Sequence, residues 1–111
     1  MRSVKLIIAI AQDQDSPSLV QDLTNKEYSV TKLASTGGFL KAGNTTLLIG
    51  VEDNQVDEVT QIIEDNCKTR DFTTSLLSVT TPGDTYMPYP LLVKVGGASV
   101  FVIDVEKYLR V

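Results

Sequence analysis

Histidine, the commonest general base, proton shuttle and transition-metal ligand, is absent from all 111 residues. The one cysteine, Cys67, falls on the apolar stripe of a helical pattern, where a free thiol behaves as a small hydrophobe. Zinc and nucleophilic-thiol chemistry therefore have little to work with. Asp13 and Asp15 stand where an apolar run ends, a place where α/β proteins often set divalent-ion or acid/base carboxylates. With no other ligands at fixed spacing, the better reading is a polar strand exit and a helix cap. Gly38 to Thr45 has the spacing of a phosphate loop, but Asn44 stands where that loop needs lysine, and a strand rather than a helix follows. Its glycines either present consecutive N–H groups to an anion or a base edge, or simply connect two strands. Phe39 and Leu40 are expensive to leave in water, so they form a lid on the core or a platform for a planar ligand or another subunit. Tyr86, Met87 and Tyr89 pose the same choice in a proline-rich stretch.

The composition narrows the classes further. A chain of this length with 42% hydrophobic residues builds one core, so residues 1–111 are expected to form one domain, with a ligand site in a surface cleft or between subunits. Ten basic against 14 acidic residues give a net charge of −4, and the lysines are scattered, which disfavours DNA or RNA as a partner. A lone cysteine forms no intramolecular disulfide and suits a reducing compartment. The apolar run Leu6 to Ala11 is too short for a membrane span and lacks a cleavage pattern, so a cytoplasmic location is expected, with no membrane association.

These residues must be positioned by a small set of elements. Val4 to Ala11 is nearly all apolar and reads as a central strand. Asp15 or Ser16 caps a helix that has Pro17 in its first turn and Leu19, Val20 and Leu23 on its apolar stripe, running to about Lys26. Tyr28 to Leu33 and Thr45 to Val51 read as strands, joined by the glycine-bearing segment 34–44. Val56, Val59, Ile63 and Cys67 recur at three- and four-residue steps, with Ile62 broadening the face, and acidic residues crowd the N-terminal end, so a second helix is predicted there. Phe72 to Val79 reads as a fourth strand and Thr80 to Pro90 as an irregular loop. Leu91 to Val95 and Ser99 to Val105, either side of Gly96-Gly97, have the pattern of a hairpin. Tyr108 to Val111 forms a short terminal turn that packs on a neighbour.

The order β-α-β-β-α-β with an added C-terminal β-hairpin is an α+β, ferredoxin-like arrangement, with two helices on one face of an antiparallel sheet. The other sheet face needs a cover, and subunit association is the usual one.

Gln12 to Asp15, the run Thr31 to Thr46, Tyr89-Pro90 and Val95 to Val102 resemble the PII-like cyclic di-AMP receptor family, over almost the whole chain. The resemblance implies a ferredoxin-like homotrimer that binds one cyclic di-AMP at each subunit interface, needs no cofactor or metal and catalyses nothing. It implies that Thr31, Gly38, Phe39, Leu40, Asn44 and Gly50 line an adenine-and-ribose pocket, closed by Phe101 and Arg110 from the adjoining subunit. Backbone groups near Phe39 and Leu40 and the Asn44 amide would read the adenine edge, and Thr31 would bond a phosphate. Family members commonly carry an arginine two residues before that threonine; this chain has Ser29, with Lys32 and Lys41 as the nearby cations. The segment Thr80 to Pro90 is shorter than is common in the family and lacks a paired glycine.

The leading expectation is thus a non-catalytic signalling receptor whose loops change on binding and act on an unknown protein target. The alternative is a PII-like interaction scaffold that has lost dinucleotide binding or takes another adenine-containing metabolite. A small hydrolase on an acylphosphatase-like scaffold comes third, because histidine is absent and no arginine lies in the glycine-bearing segment.

Overall fold

The computed structural model describes residues 3–33, 43–75 and 90–111. Strand β1 (Val4–Gln12) leads to helix α1 (Ser16–Asn25), then β2 (Val30–Leu33) and β3 (Asn44–Glu52). A 3-10 turn (Asp53–Gln55) opens helix α2 (Val56–Cys67), and β4 (Arg70–Ser75), β5 (Pro90–Val95) and β6 (Ala98–Asp104) complete the chain.

The four-stranded sheet has the order β2-β3-β1-β6, with every adjacent pair antiparallel. That is the ferredoxin-like order, with β6 as its last strand. Strand alternation sends Ile7, Ala9 and Ala11 of β1 and Leu47, Ile49 and Val51 of β3 to one face. There they pack with Leu19 and Leu23 of α1 and Val59, Ile63 and Cys67 of α2 to form the core. The helix ends follow local chemistry. Glu52 and Gln55 form a capping box at the entry to α2, the Glu52 N–H donating to Gln55 Oε1 at 2.8 Å. Helix α1 closes on a Schellman pattern, Tyr28 N–H to the Leu23 carbonyl at 3.0 Å, which puts Glu27 rather than a glycine at φ 67°.

The predicted C-terminal hairpin is corrected by the pairing. β5 pairs with β4 in a separate two-stranded ribbon, and β6 pairs with β1, so Gly96-Gly97 does not close a hairpin between its flanking strands. Both glycines adopt the positive φ of a hairpin turn, 86° and 92°. Long-range bonds redirect the chain: Gly96 N–H donates to Gln12 Oε1 at 2.8 Å, and Gly97 N–H to the Cys67 carbonyl. The ribbon is therefore an insertion between α2 and β6. β4 begins at Arg70 rather than Phe72, and residues 76–79 of the predicted strand, with most of the predicted loop 80–90, lie outside the described residues.

Candidate functional site

The face of the sheet away from the helices carries the other alternate residues. Register aligns them in rows across the four strands. Thr31, Leu48, Ile8 and Phe101 form one row; Leu33, Thr46, Ile10 and Ser99 form the next; Gly50, Leu6 and Ile103 form a third. Among the described residues no helix covers this face, and Thr46 in the second row is nonetheless buried. Phe101 is 54% exposed and Ile103 44%, and Leu33 at the opposite edge is also exposed. So many large apolar side chains on one sheet face mark a contact surface rather than scattered surface hydrophobes.

At one end of the face lies a cleft of about 640 Å³, whose lining includes Leu6, Ser29, Thr31, Leu48, Gly50 and Tyr108. Gly50 is informative. A glycine inside a central strand costs stability relative to alanine, about 0.5–1 kcal/mol. A Cβ there would meet nothing within 4 Å among the described residues. The fold of the protomer does not call for glycine at this position, whereas close approach by a ligand or another backbone does.

Of the residues singled out from the sequence, Thr31 and Gly50 share this cleft. Asn44 opens β3 and lies on the same face as Gly50 by strand alternation, with its backbone paired to Gln12. Phe101 is on the same face but at the far edge, three strand spacings from Thr31, about 14 Å at ~4.8 Å per spacing. Arg110 is exposed in the C-terminal segment and is not part of the cleft lining. Gly38, Phe39 and Leu40 lie outside the described residues, as does Lys41. Lys32 pairs with Leu47 and so belongs to the helix-side face, away from Thr31. Tyr108, Leu6 and Leu48 are lining residues that sequence reasoning did not single out; the strand alternation of Leu6 and Leu48 was the signal available for two of them.

The electrostatics of the cleft are modest. Lys5 also lines it, but its ammonium donates to Asp104 and lies 3.9 Å from Asp53. The Asp104 hydrogen bond holds that amine above its ordinary range. Its charge is already answered by carboxylates.

The two carboxylates weighed earlier are both engaged. Asp13 accepts from the Thr45 hydroxyl at 2.5 Å. Asp15 sits at the N-cap of α1 but makes no side-chain cap bond; its buried carboxylate accepts from Arg70 at 2.7 and 3.5 Å. The predicted cap is thus corrected to an ion pair, because the guanidinium offers a charge-assisted fork that a helix N–H does not. Among the described residues no group of three or more His, Cys, Asp or Glu is placed to hold a metal. Cys67 is buried, and burial first, with Asp15 second, pushes its thiol up to about 11.

Residues 4–111 match the model of the Cyclic-di-AMP receptor family. The chain belongs to that family. A crystal structure of a functionally unknown protein from Pediococcus pentosaceus is 40% identical over 98% of each chain, with a TM-score of 0.76. A DUF3240 family protein from Shewanella baltica, 11% identical over 100% of this chain and 99% of that one, has a TM-score of 0.60 and is similar in fold alone. The cyclic-di-AMP receptor family is one of receptors, and among the described residues the cleft beside Thr31 and Gly50 has room for a ligand. Among the described residues no helix is long and apolar enough to cross a membrane.

Proposed function

We propose that this chain is a non-catalytic, cytoplasmic cyclic di-AMP receptor that works as a homotrimer, holding one dinucleotide at each junction between protomers. Thr31, Gly38, Phe39, Leu40, Asn44 and Gly50 contribute one side of each site, and Phe101 and Arg110 of the adjoining protomer the other. Binding reorganises the loops and so changes contact with a protein target.

One observation carries this reading. Thr31 and Phe101 stand at opposite edges of one open sheet face, about 14 Å apart at the usual strand spacing. No side-chain motion within a protomer joins them across the intervening β3 and β1, so a site that uses both takes its Phe101 from another protomer. Covering that face also removes exposed apolar surface from water. Gly50 beside Thr31 leaves space for a ligand to approach the backbone.

The test is a calorimetric titration with cyclic di-AMP, with ATP and cyclic di-GMP as controls, alongside light scattering for the assembly. Selective binding at micromolar affinity or tighter by a particle of three chains is expected. Silence with cyclic di-AMP, or a monomer that binds it with full affinity, would overturn the proposal.

A further inference from the structure

The corner Gln12-Asp13-Gln14-Asp15 between β1 and α1 stands out in the sequence but lines none of the cleft just described. Its bonds run in two directions. Toward β3, the Asp13 N–H donates to the Gly43 carbonyl at 2.8 Å, the Asp13 carboxylate accepts from Thr45, and Gln12 pairs with Asn44 in the sheet. Toward the ribbon, Gln12 Oε1 accepts from the Gly96 N–H, where β5 ends, and the Asp15 carboxylate accepts from Arg70, where β4 begins. Gln14 Nε2 donates to the same Gln12 oxygen at 3.0 Å and fixes its direction.

Four consecutive residues thus hold the start of β3 on one side and both ends of the ribbon base on the other. The fold alone asks for less. A strand exit and a helix start need a polar turn and a cap, yet the buried Asp15 carboxylate is spent on a residue 55 positions away and the Gln12 amide on one 84 positions away. A carboxylate this deep is costly unless it is paired, so ribbon and corner keep a defined relation while the pair lasts.

We infer that the corner is a coupling element, with Gln12 as its positioning residue: it ties the Asn44 end of the candidate ligand site to the base of the β4–β5 ribbon. Occupancy of the site and the state of the ribbon base then bias each other. This deepens the receptor reading and rests on it for the ligand. Coupling of this kind is reciprocal, so loosening the ribbon base weakens ligand affinity by the factor with which ligand tightens the base, typically about 5- to 150-fold.

Amide hydrogen exchange at Gly96 and Gly97 reads the ribbon base directly, since the two N–H groups are bonded to Gln12 and Cys67. In the full chain, saturating cyclic di-AMP is expected to slow both amides about tenfold or more. Gln12→Met removes the acceptor while keeping the length, and should abolish that response and weaken binding about tenfold; Gln12→Glu restores the oxygen and should recover both. Arg70→Lys, which keeps the charge and loses the fork, serves if Gln12→Met does not fold. Binding that leaves the two amides unchanged in the wild type, or a Gln12→Met response equal to wild type, overturns the coupling. Should the wild type bind no cyclic di-AMP, the receptor reading falls and Thr45→Val decides the coupling alone: faster exchange at Gly96 and Gly97 sustains it, and unchanged exchange overturns it.

Discussion

Replacing Gly96 with alanine should be among the most damaging small substitutions in this protein, although it adds a single methyl group at a turn. Gly96 holds φ at 86°, which costs an L-residue roughly 1–2 kcal/mol. Its Cβ would also lie 2.6 Å from the Lys68 carbonyl oxygen and 3.1 Å from that of Cys67. Those are backbone atoms at the end of α2 and have little room to give. The third neighbour, Arg70 Nη1 at 2.5 Å, can move only by disturbing its own bonds, 3.1 Å to the Lys68 carbonyl and 3.5 Å to Asp15. Overpacking of this kind adds roughly 1–3 kcal/mol, for a total of about 2–5 kcal/mol. That is a large share of the ~5–15 kcal/mol that holds a typical domain together. At about 4 °C per kcal/mol for a chain of this size, Tm should fall by roughly 8–20 °C. Gly43→Ala isolates the backbone part, because Gly43 has φ 92° but a Cβ there meets nothing within 4 Å among the described residues. It should lose only about 1–2 kcal/mol. The assay is thermal and urea unfolding of both variants and the wild type at one protomer concentration, since assembly shifts apparent stability. A Gly96→Ala loss no larger than that of Gly43→Ala would refute the packed corner.

Further outcomes follow from the same contacts. Ser29→Arg, at the rim of the cleft, should tighten cyclic di-AMP by roughly one to two decades through a charge-assisted fork to phosphate, measured by calorimetry; unchanged affinity would show that Ser29 faces no phosphate. Gly50→Ala fills open space, so the circular dichroism of the free chain should be retained while cyclic di-AMP affinity drops about tenfold or more, and full affinity would remove Gly50 from the site. Glu27→Gly relieves the φ of 67° after α1 and should raise stability by about 0.5–1 kcal/mol in urea unfolding. The Cys67 thiol, raised by burial from near 9 to about 11, favours folding below its ordinary range and loses that contribution as pH climbs toward 11. Stability should therefore fall between about pH 9 and 11, with a shallower slope in Cys67→Ala; identical slopes would mean the thiol is not buried in solution.

What the sequence alone determined lies within reach of neighbouring residues. The apolar runs Val4 to Ala11 and Thr45 to Val51 and the three- and four-step spacing of Val56, Val59, Ile63 and Cys67 identify β1, β3 and α2, because burial leaves its mark on the residues of the segment that is buried. Thr31 and Gly50 were singled out through the family resemblance, and strand register brings them to one cleft. Tertiary structure decided the rest. The same Gly96-Gly97 chemistry serves a hairpin or a corner, and only pairing of β6 with β1 and β5 with β4 separates the two. Asp15 has the local signature of a helix cap, yet a guanidinium 55 residues away takes its carboxylate. Strand partners and ion pairs are chosen by groups distant in sequence, whose hydrogen bonds and charges leave no periodic mark on the segments that make them.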